Sequence, residues 1–179
     1  GHSHAILLQK WQDHNINQIH LKLISDTEQA PYSGMLPGHV AGLYSYEETH
    51  IDLRHLTKLA SAEFYQDQAI GLDLHQKQIL CRNRSPIPFD KVSLDIGSTP
   101  TITNIPGAKD YAIPAKPVPI FLENWYQFLA TVEANPNQSR NLAIVGGGAG
   151  GVELALNMQQ RLQKISNSIT IHLFQRGKE

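Results

Sequence analysis

The chain has 179 residues, with Lys+Arg 15 against Asp+Glu 16 and a formal net charge of -1, so no bulk field draws it to nucleic acid or to an anionic membrane. Hydrophobic residues make up 41% and charged residues 17%, enough apolar content for a core and too little self-repulsion for a disordered tail. No apolar run approaches the roughly 20 residues of a membrane-spanning helix, and the opening GHSHAILLQKW lacks the charged start and small-residue cleavage site of a signal peptide.

In chain order, residues 5–11 (AILLQKW) read as the first turns of a helix, and HLKLIS (20–25) as a short strand. The following SDTEQAPYSGMLPGHVAG is dense in turn-formers and reads as a shaped loop. THIDLRHLTKLA fits a short helix capped by Asp52, with Leu53, Leu56 and Leu59 at three-residue steps. AEFYQD, AIGLDL and QILCRN alternate like strands, the last two joined by an HQK turn, and FDKVSLDIGSTP reads as one more strand ending in a Gly-Ser-Thr-Pro turn.

Pro106, Pro114, Pro117 and Pro119 then mark an ordered connector. Beyond it Val118, Phe121, Leu122, Trp125, Phe128, Leu129 and Val132 step by three and four, the signature of an amphipathic helix whose aromatic face turns to the core. After the polar break NPNQSR come NLAIV, GGGAGG, VELALNMQQRLQ and SITIHLFQ: strand, glycine turn, helix, strand. The two ends of the chain share a plan, each with a glycine at a helix start, an apolar helix and a strand.

Cys81 is the sole cysteine, which excludes an internal disulfide, a CxxC redox pair and a cysteine zinc cage, and suits a reducing cytosolic compartment. Its strand-like surroundings favour a packing role. His2 and His4 stand at a metal-like spacing, but two imidazoles without a third ligand assign no metal site.

The chemistry concentrates in residues 146–151, where five glycines are interrupted only by Ala149. Gly146, Gly148 and Gly151 form a G-x-G-x-x-G directly after an apolar strand and directly before a helix, the context a dinucleotide fingerprint requires. The first glycine allows a tight turn, the second lets the backbone approach a diphosphate, and the third lets helix and strand pack closely. Amide hydrogens and the positive end of the helix dipole would then face the phosphates. A P-loop would need Lys-Ser/Thr where Val152 and Glu153 follow Gly151, and a methyl-donor site an acid where the strand ends Ile144-Val145. At the end of the second strand, where a carboxylate would hold the 2′-hydroxyl of NAD, stand Gln175 and Arg176. Gln accepts either a hydroxyl or, beside Arg, a 2′-phosphate, so NADH and NADPH both stay open.

Taken together, GHSHAILLQKW, APYSGMLPGHVAGLYS, HIDLRHL, FDKVSLDIGSTP, AIPAKP and NLAIVGGGAGGVELAL resemble the FAD-dependent pyridine nucleotide-disulfide oxidoreductase family over nearly the whole chain. The branch they are most similar to is the one related to type II NADH dehydrogenases and found fused to selenide, water dikinase. The resemblance implies an α/β, Rossmann-like FAD/NAD(P)-binding fold of two dinucleotide-binding domains, present as an incomplete fragment. Residues 1–117 would be an FAD-binding domain lacking its first strand, and 118–179 the start of an NAD(P)-binding domain. It makes Gly1 the surviving glycine of a GGGHSHA turn, with the helix from His2 onward facing the FAD diphosphate, and places Ser25 and Asp26 at the FAD ribose. Gly97 and Ser98 would keep a turn beside the flavin where Asp95-Ile96 replaces the family's Ala-Thr, and Glu153 matches a glutamate that reaches toward nicotinamide and flavin.

The implied activity is hydride transfer from NAD(P)H to FAD and on to a small-molecule acceptor, with a quinone as one candidate. The paired cysteines of the disulfide reductases have no counterpart here. A homodimer is compatible with the family, as is a cytoplasmic location peripheral to a membrane through segments outside this stretch. Two other readings stay open on the residues alone: a non-catalytic nucleotide-binding or interaction module, and a metal site in the histidine-bearing start.

Overall fold

The computed structural model describes residues 1–13, 18–100 and 105–177. In chain order these form helix α1 (His2–Trp11), strands β1 (Lys22–Ser25) and β2 (Gln29–Pro31), a 3-10 turn (Ser33–Met35), helices α2 (Leu36–Val40) and α3 (Tyr46–Thr49), strand β3 (His50–Asp52) and helix α4 (Leu53–Leu59). Strands β4 (Glu63–Gln66), β5 (Ala69–Asp73), β6 (Gln78–Cys81) and β7 (Ile87–Pro88) follow, then helices α5 (Ala108–Tyr111) and α6 (Val118–Ala134), strand β8 (Arg140–Val145), helix α7 (Ala149–Gln163) and strand β9 (Ile169–Phe174). The chain divides into two compact units, residues 1–32 with 50–97, and residues 33–49 with 98–179.

In the first unit α1 starts at Gly1 and buries Ala5 and Leu8. β1 pairs in parallel with β4, from Lys22 opposite Glu63 to Ser25 opposite Gln66, and β2 pairs antiparallel with β3. Asp52 caps α4 as its side chain type dictates, accepting the His55 amide at 2.8 Å. The buried face of α4 is Leu53 and Thr57 rather than the leucine row, since Leu59 is 49% exposed. Thr57 tolerates burial because its hydroxyl donates to the Leu53 carbonyl at 2.8 Å.

β5, β6 and β7 make an antiparallel sheet. Asp73 builds the turn between the first two, its carboxylate accepting the amides of His75 and Gln76 at 2.9 and 2.8 Å. Asp67 is buried yet satisfied by the Gln68 and Asn83 amides and the Arg84 guanidinium. Burial by itself would raise its pKa, but those donors hold it below the ordinary aspartate value. Burial pushes the Cys81 thiol up, in keeping with a packed rather than reactive cysteine.

Two expectations change here. The shaped loop after β1 contains short regular pieces, β2, the 3-10 turn and α2. FDKVSLDIGSTP does not form a strand: β7 ends at Pro88, and 92–100 run without ladder pairing among the described residues. The alternation that suggested a strand is real, with Val92, Leu94 and Ile96 all exposed at 36%, 62% and 86%. A strand also needs a partner backbone, and none lies along this segment among the described residues.

The second unit is built on α6. Val118, Phe121, Leu122, Trp125, Leu129 and Val132 are buried on one face, and Phe128 packs beside them. They share a core with Leu154, Met158 and Leu162 of α7 and with Leu36 and Val40 of α2, while Leu142, Ile144, Ile169 and Ile171 cover it from the strands. Segment 33–49 thus contributes Leu36 and Val40 to this core. β8 and β9 pair in parallel from Arg140 opposite Ile169 to Val145 opposite Phe174, with α7 as the crossover. α7 begins three residues ahead of the expected VELALNMQQRLQ, because the last glycines already belong to its first turn.

Candidate functional site

The glycine turn sits at the carboxyl ends of β8 and β9, where parallel sheets present ligand sites. Val145 is 79% exposed and Phe174 55%, so the strand ends open outward rather than into packed protein. Gly146 adopts φ +123, a conformation costly for any other residue. Its amide donates to the Phe174 carbonyl at 2.8 Å, tying the turn to the neighbouring strand. At Gly151 a Cβ would lie 1.8 Å from the Gly146 carbonyl oxygen, so helix and strand meet backbone to backbone. Gly148, which starts α7 with no side-chain cap, has open space where a Cβ would point, and so does Gly150. The first amides of a helix lack partners within it. The uncapped start therefore offers donors and the positive end of the dipole to an anion.

Gln175 comes back onto this turn. Its side-chain oxygen would stand 2.5 Å from a Cβ on Gly147, so the ribose-reading candidate and the phosphate-facing turn are adjacent. Arg176 is exposed just beyond. Glu153 lies one turn into α7, also exposed, and its backbone carbonyl accepts the Asn157 side-chain amide at 2.8 Å. Gly146, Gly148, Gly151 and Gln175 are thus gathered around one turn.

The candidates in the first unit are gathered less completely. Gly1 precedes α1, again with no side-chain cap of its own. His2 stacks on Tyr32 at 4.0 Å between ring centroids, and Gly97 takes φ +71 with open space around it. Ser25 ends β1, where its hydroxyl accepts the Thr27 amide at 3.4 Å and its carbonyl the Asp67 amide at 2.9 Å, and Asp26 is exposed beyond it. Ser98 falls in the second unit, as the first residue of its second segment, and is exposed.

One residue outside the candidate set comes to the start of α1. An Asp95 carboxylate oxygen accepts the His4 amide at 3.1 Å, and the His4 imidazole and Ser93 hydroxyl share a hydrogen bond of 2.9 Å. Burial pushes the His4 pKa down against the pull of Asp95. Burial would lift Asp95, yet the hydrogen bond from the His4 amide helps hold it below the ordinary value. No group of three metal-ligating side chains lies together among the described residues. Nor is any described helix long and apolar enough to cross a membrane.

A parallel strand pair joined through a glycine turn and a helix, open at the strands' carboxyl ends, defines a dinucleotide-binding α/β protein of the Rossmann kind. More particularly, residues 1–176 match the pyridine nucleotide-disulphide oxidoreductase family, and the chain belongs to it. It is 34% identical over 107 residues to the NADH dehydrogenase-like protein YutJ of Bacillus subtilis, a match over 60% of this chain and 28% of that protein. It is 30% identical over 123 residues to the demethylphylloquinone reductase NdbB of Synechocystis, covering 65% of this chain and 29% of that one. The fold resembles NDH2 of Plasmodium falciparum, solved in complex with NADH, with a TM-score of 0.71 at 21% identity over 88% of this chain and 37% of that one. The chain therefore spans less than a third of either curated relative.

Proposed function

We propose that the chain is part of an FAD-dependent NAD(P)H oxidoreductase that passes hydride from NAD(P)H to FAD and then to a small-molecule acceptor, without an active-site disulfide. Residues 1–117 contribute to the flavin domain and 118–179 open the NAD(P) domain. The observation that carries the reading is the turn at 146–151: its third glycine is required by the Gly146 carbonyl, while its second faces open space at an uncapped helix start. That is a cradle fitted to a diphosphate rather than a packing device alone.

Gly146, Gly148 and Gly151 hold the NAD(P)H diphosphate, and Gln175 and Arg176 take the adenosine ribose. The neutral Gln leaves NADPH acceptable, with Arg176 as the partner of a 2′-phosphate. In the flavin half Gly1 and His2 supply the diphosphate end of α1, Ser25 and Asp26 the ribose contact, and Gly97 and Ser98 the turn beside the ring system. The flavin supplies the redox chemistry when bound, and the chain's residues bind and orient. Glu153 is the candidate carboxylate near the reacting centre. A quinone is the favoured acceptor class, supported by the demethylphylloquinone reductase among the relatives. A cytoplasmic protein, dimeric and peripheral to a membrane through other segments, fits this reading. The test is the purified full-length protein: flavin absorbance near about 450 nm that bleaches anaerobically on NADH or NADPH supports it, and a colourless protein overturns it.

A further inference from the structure

Three observations meet at the carboxyl end of β9, all within the unit of residues 33–49 and 98–179. A Cβ on residue 147 would lie 2.5 Å from the Gln175 side-chain oxygen and 2.7 Å from the Gln175 Cβ, so Gly147 is what lets Gln175 lie over the turn. The backbone holds the two segments together, since the Gly146 amide donates to the Phe174 carbonyl at 2.8 Å. The chain then bends at Arg176 and Gly177, with Gly177 at φ +141 and Arg176 exposed. The side chain lying on the turn is thus neutral, and its exposed neighbour is a cation.

We propose that this arrangement makes NADPH the preferred nucleotide of the site. The preference rests on the assignment of the 146–151 turn to a dinucleotide diphosphate, a reading that by itself admits both nucleotides. The adenosine ribose is joined to the diphosphate through a single methylene, so the side chain lying on the turn is the one its 2′ substituent meets. A carboxylate at that place accepts from a 2′-hydroxyl and repels a 2′-phosphate. The Gln175 amide can bond either group and sets no charge against the phosphate. Arg176 supplies the attraction: a guanidinium forks onto phosphate oxygens through parallel N–H donors, and such charge-assisted bonds are about twice as strong as neutral ones. Gly177 leaves the bend behind Arg176 open, with nothing within 4 Å of its Cβ position. NADH offers that guanidinium only a neutral hydroxyl, so the gain falls on one nucleotide and separates the two.

The test is titration of the full-length protein with NADPH and with NADH, followed by isothermal calorimetry, for wild type, Arg176→Gln and Gln175→Asp. Both positions are exposed, and circular dichroism confirms that each variant is folded. Wild type is expected to bind NADPH at least roughly tenfold more tightly than NADH at low salt, the gap narrowing as salt screens the phosphate. Arg176→Gln should bring the two affinities within about threefold, and Gln175→Asp should weaken NADPH roughly tenfold. A smaller wild-type gap, or one in favour of NADH, overturns the preference and leaves the dinucleotide assignment standing. A gap that survives unchanged in both folded variants overturns the roles given to Gln175 and Arg176. If wild type takes up neither nucleotide, the assignment itself fails and the preference falls with it.

Discussion

Replacing Gly151 by alanine places a Cβ 1.8 Å from the Gly146 carbonyl oxygen, whereas real Cβ contacts essentially never come under 3.0 Å. The obstacle is backbone, so no rotamer change relieves it. Either α7 draws back from the end of β8 or the turn opens, and both disturb Gly146, whose amide is held by Phe174 at 2.8 Å. Overpacking of this kind costs about 1–3 kcal/mol, and each kcal/mol lowers the melting temperature of a domain this size by roughly 2–4 °C. Gly150→Ala is the control one residue away: nothing lies within 4 Å of its Cβ position. Removing a glycine there should stabilise by about 0.4–1 kcal/mol through the unfolded chain. Thermal unfolding by circular dichroism, with NADH titration of the same samples, separates the two. Gly151→Ala should melt early and bind NADH more weakly, and Gly150→Ala should melt at or above wild type. A Gly151→Ala protein that matches wild type in both would refute the close-approach reasoning.

Trp125 is 4% exposed in the core of the second unit, and Trp125→Ala should lower unfolding free energy in urea by about 3–5 kcal/mol. Asp52→Ala removes the α4 cap and should cost about 0.5–2 kcal/mol by the same assay. Asp67 has a depressed folded-state pKa, so its stabilisation is complete above the unfolded aspartate value of about 3.9 and drains away as pH falls through the lower folded value. Asp67→Asn should therefore be less stable than wild type at pH 7 and lose less on acidification, as urea unfolding at pH 7 and pH 3 would show. The buried Cys81 thiol, its pKa raised, should react with a disulfide reagent only at the rate of unfolding; prompt labelling of the native protein would contradict its packing role.

The second unit was readable because its signals are local. The three- and four-residue steps of Val118–Val132 mark α6, and the glycines between two apolar runs mark the turn, its helix and the parallel pair. The first unit was less readable where pairing or contact spans the sequence. Val92, Leu94 and Ile96 alternate like a strand, but alternation says nothing of whether a partner backbone lies alongside. Asp95 was visible as a departure from the family pattern. Its seat at the start of α1 depends on His4, 91 residues away, and no local pattern reports that. The destination of segment 33–49 was hidden for the same reason: Leu36 and Val40 look like loop residues until α6 and α7 are in place to bury them. Leu59 misled in the other direction, since a three-residue spacing does not tell which face of a short helix is covered.

The central claim is that the backbone from Gly146 to Val152 receives the diphosphate of a pyridine dinucleotide. Amide chemical shifts of the nitrogen-15-labelled protein during titration with NADH, and in parallel with NADPH, test it most directly. The account predicts that the largest changes fall on Gly146–Val152 and Gln175, with those of α6 nearly still. Saturation with either nucleotide that leaves the Gly148–Val152 amides unmoved would contradict it.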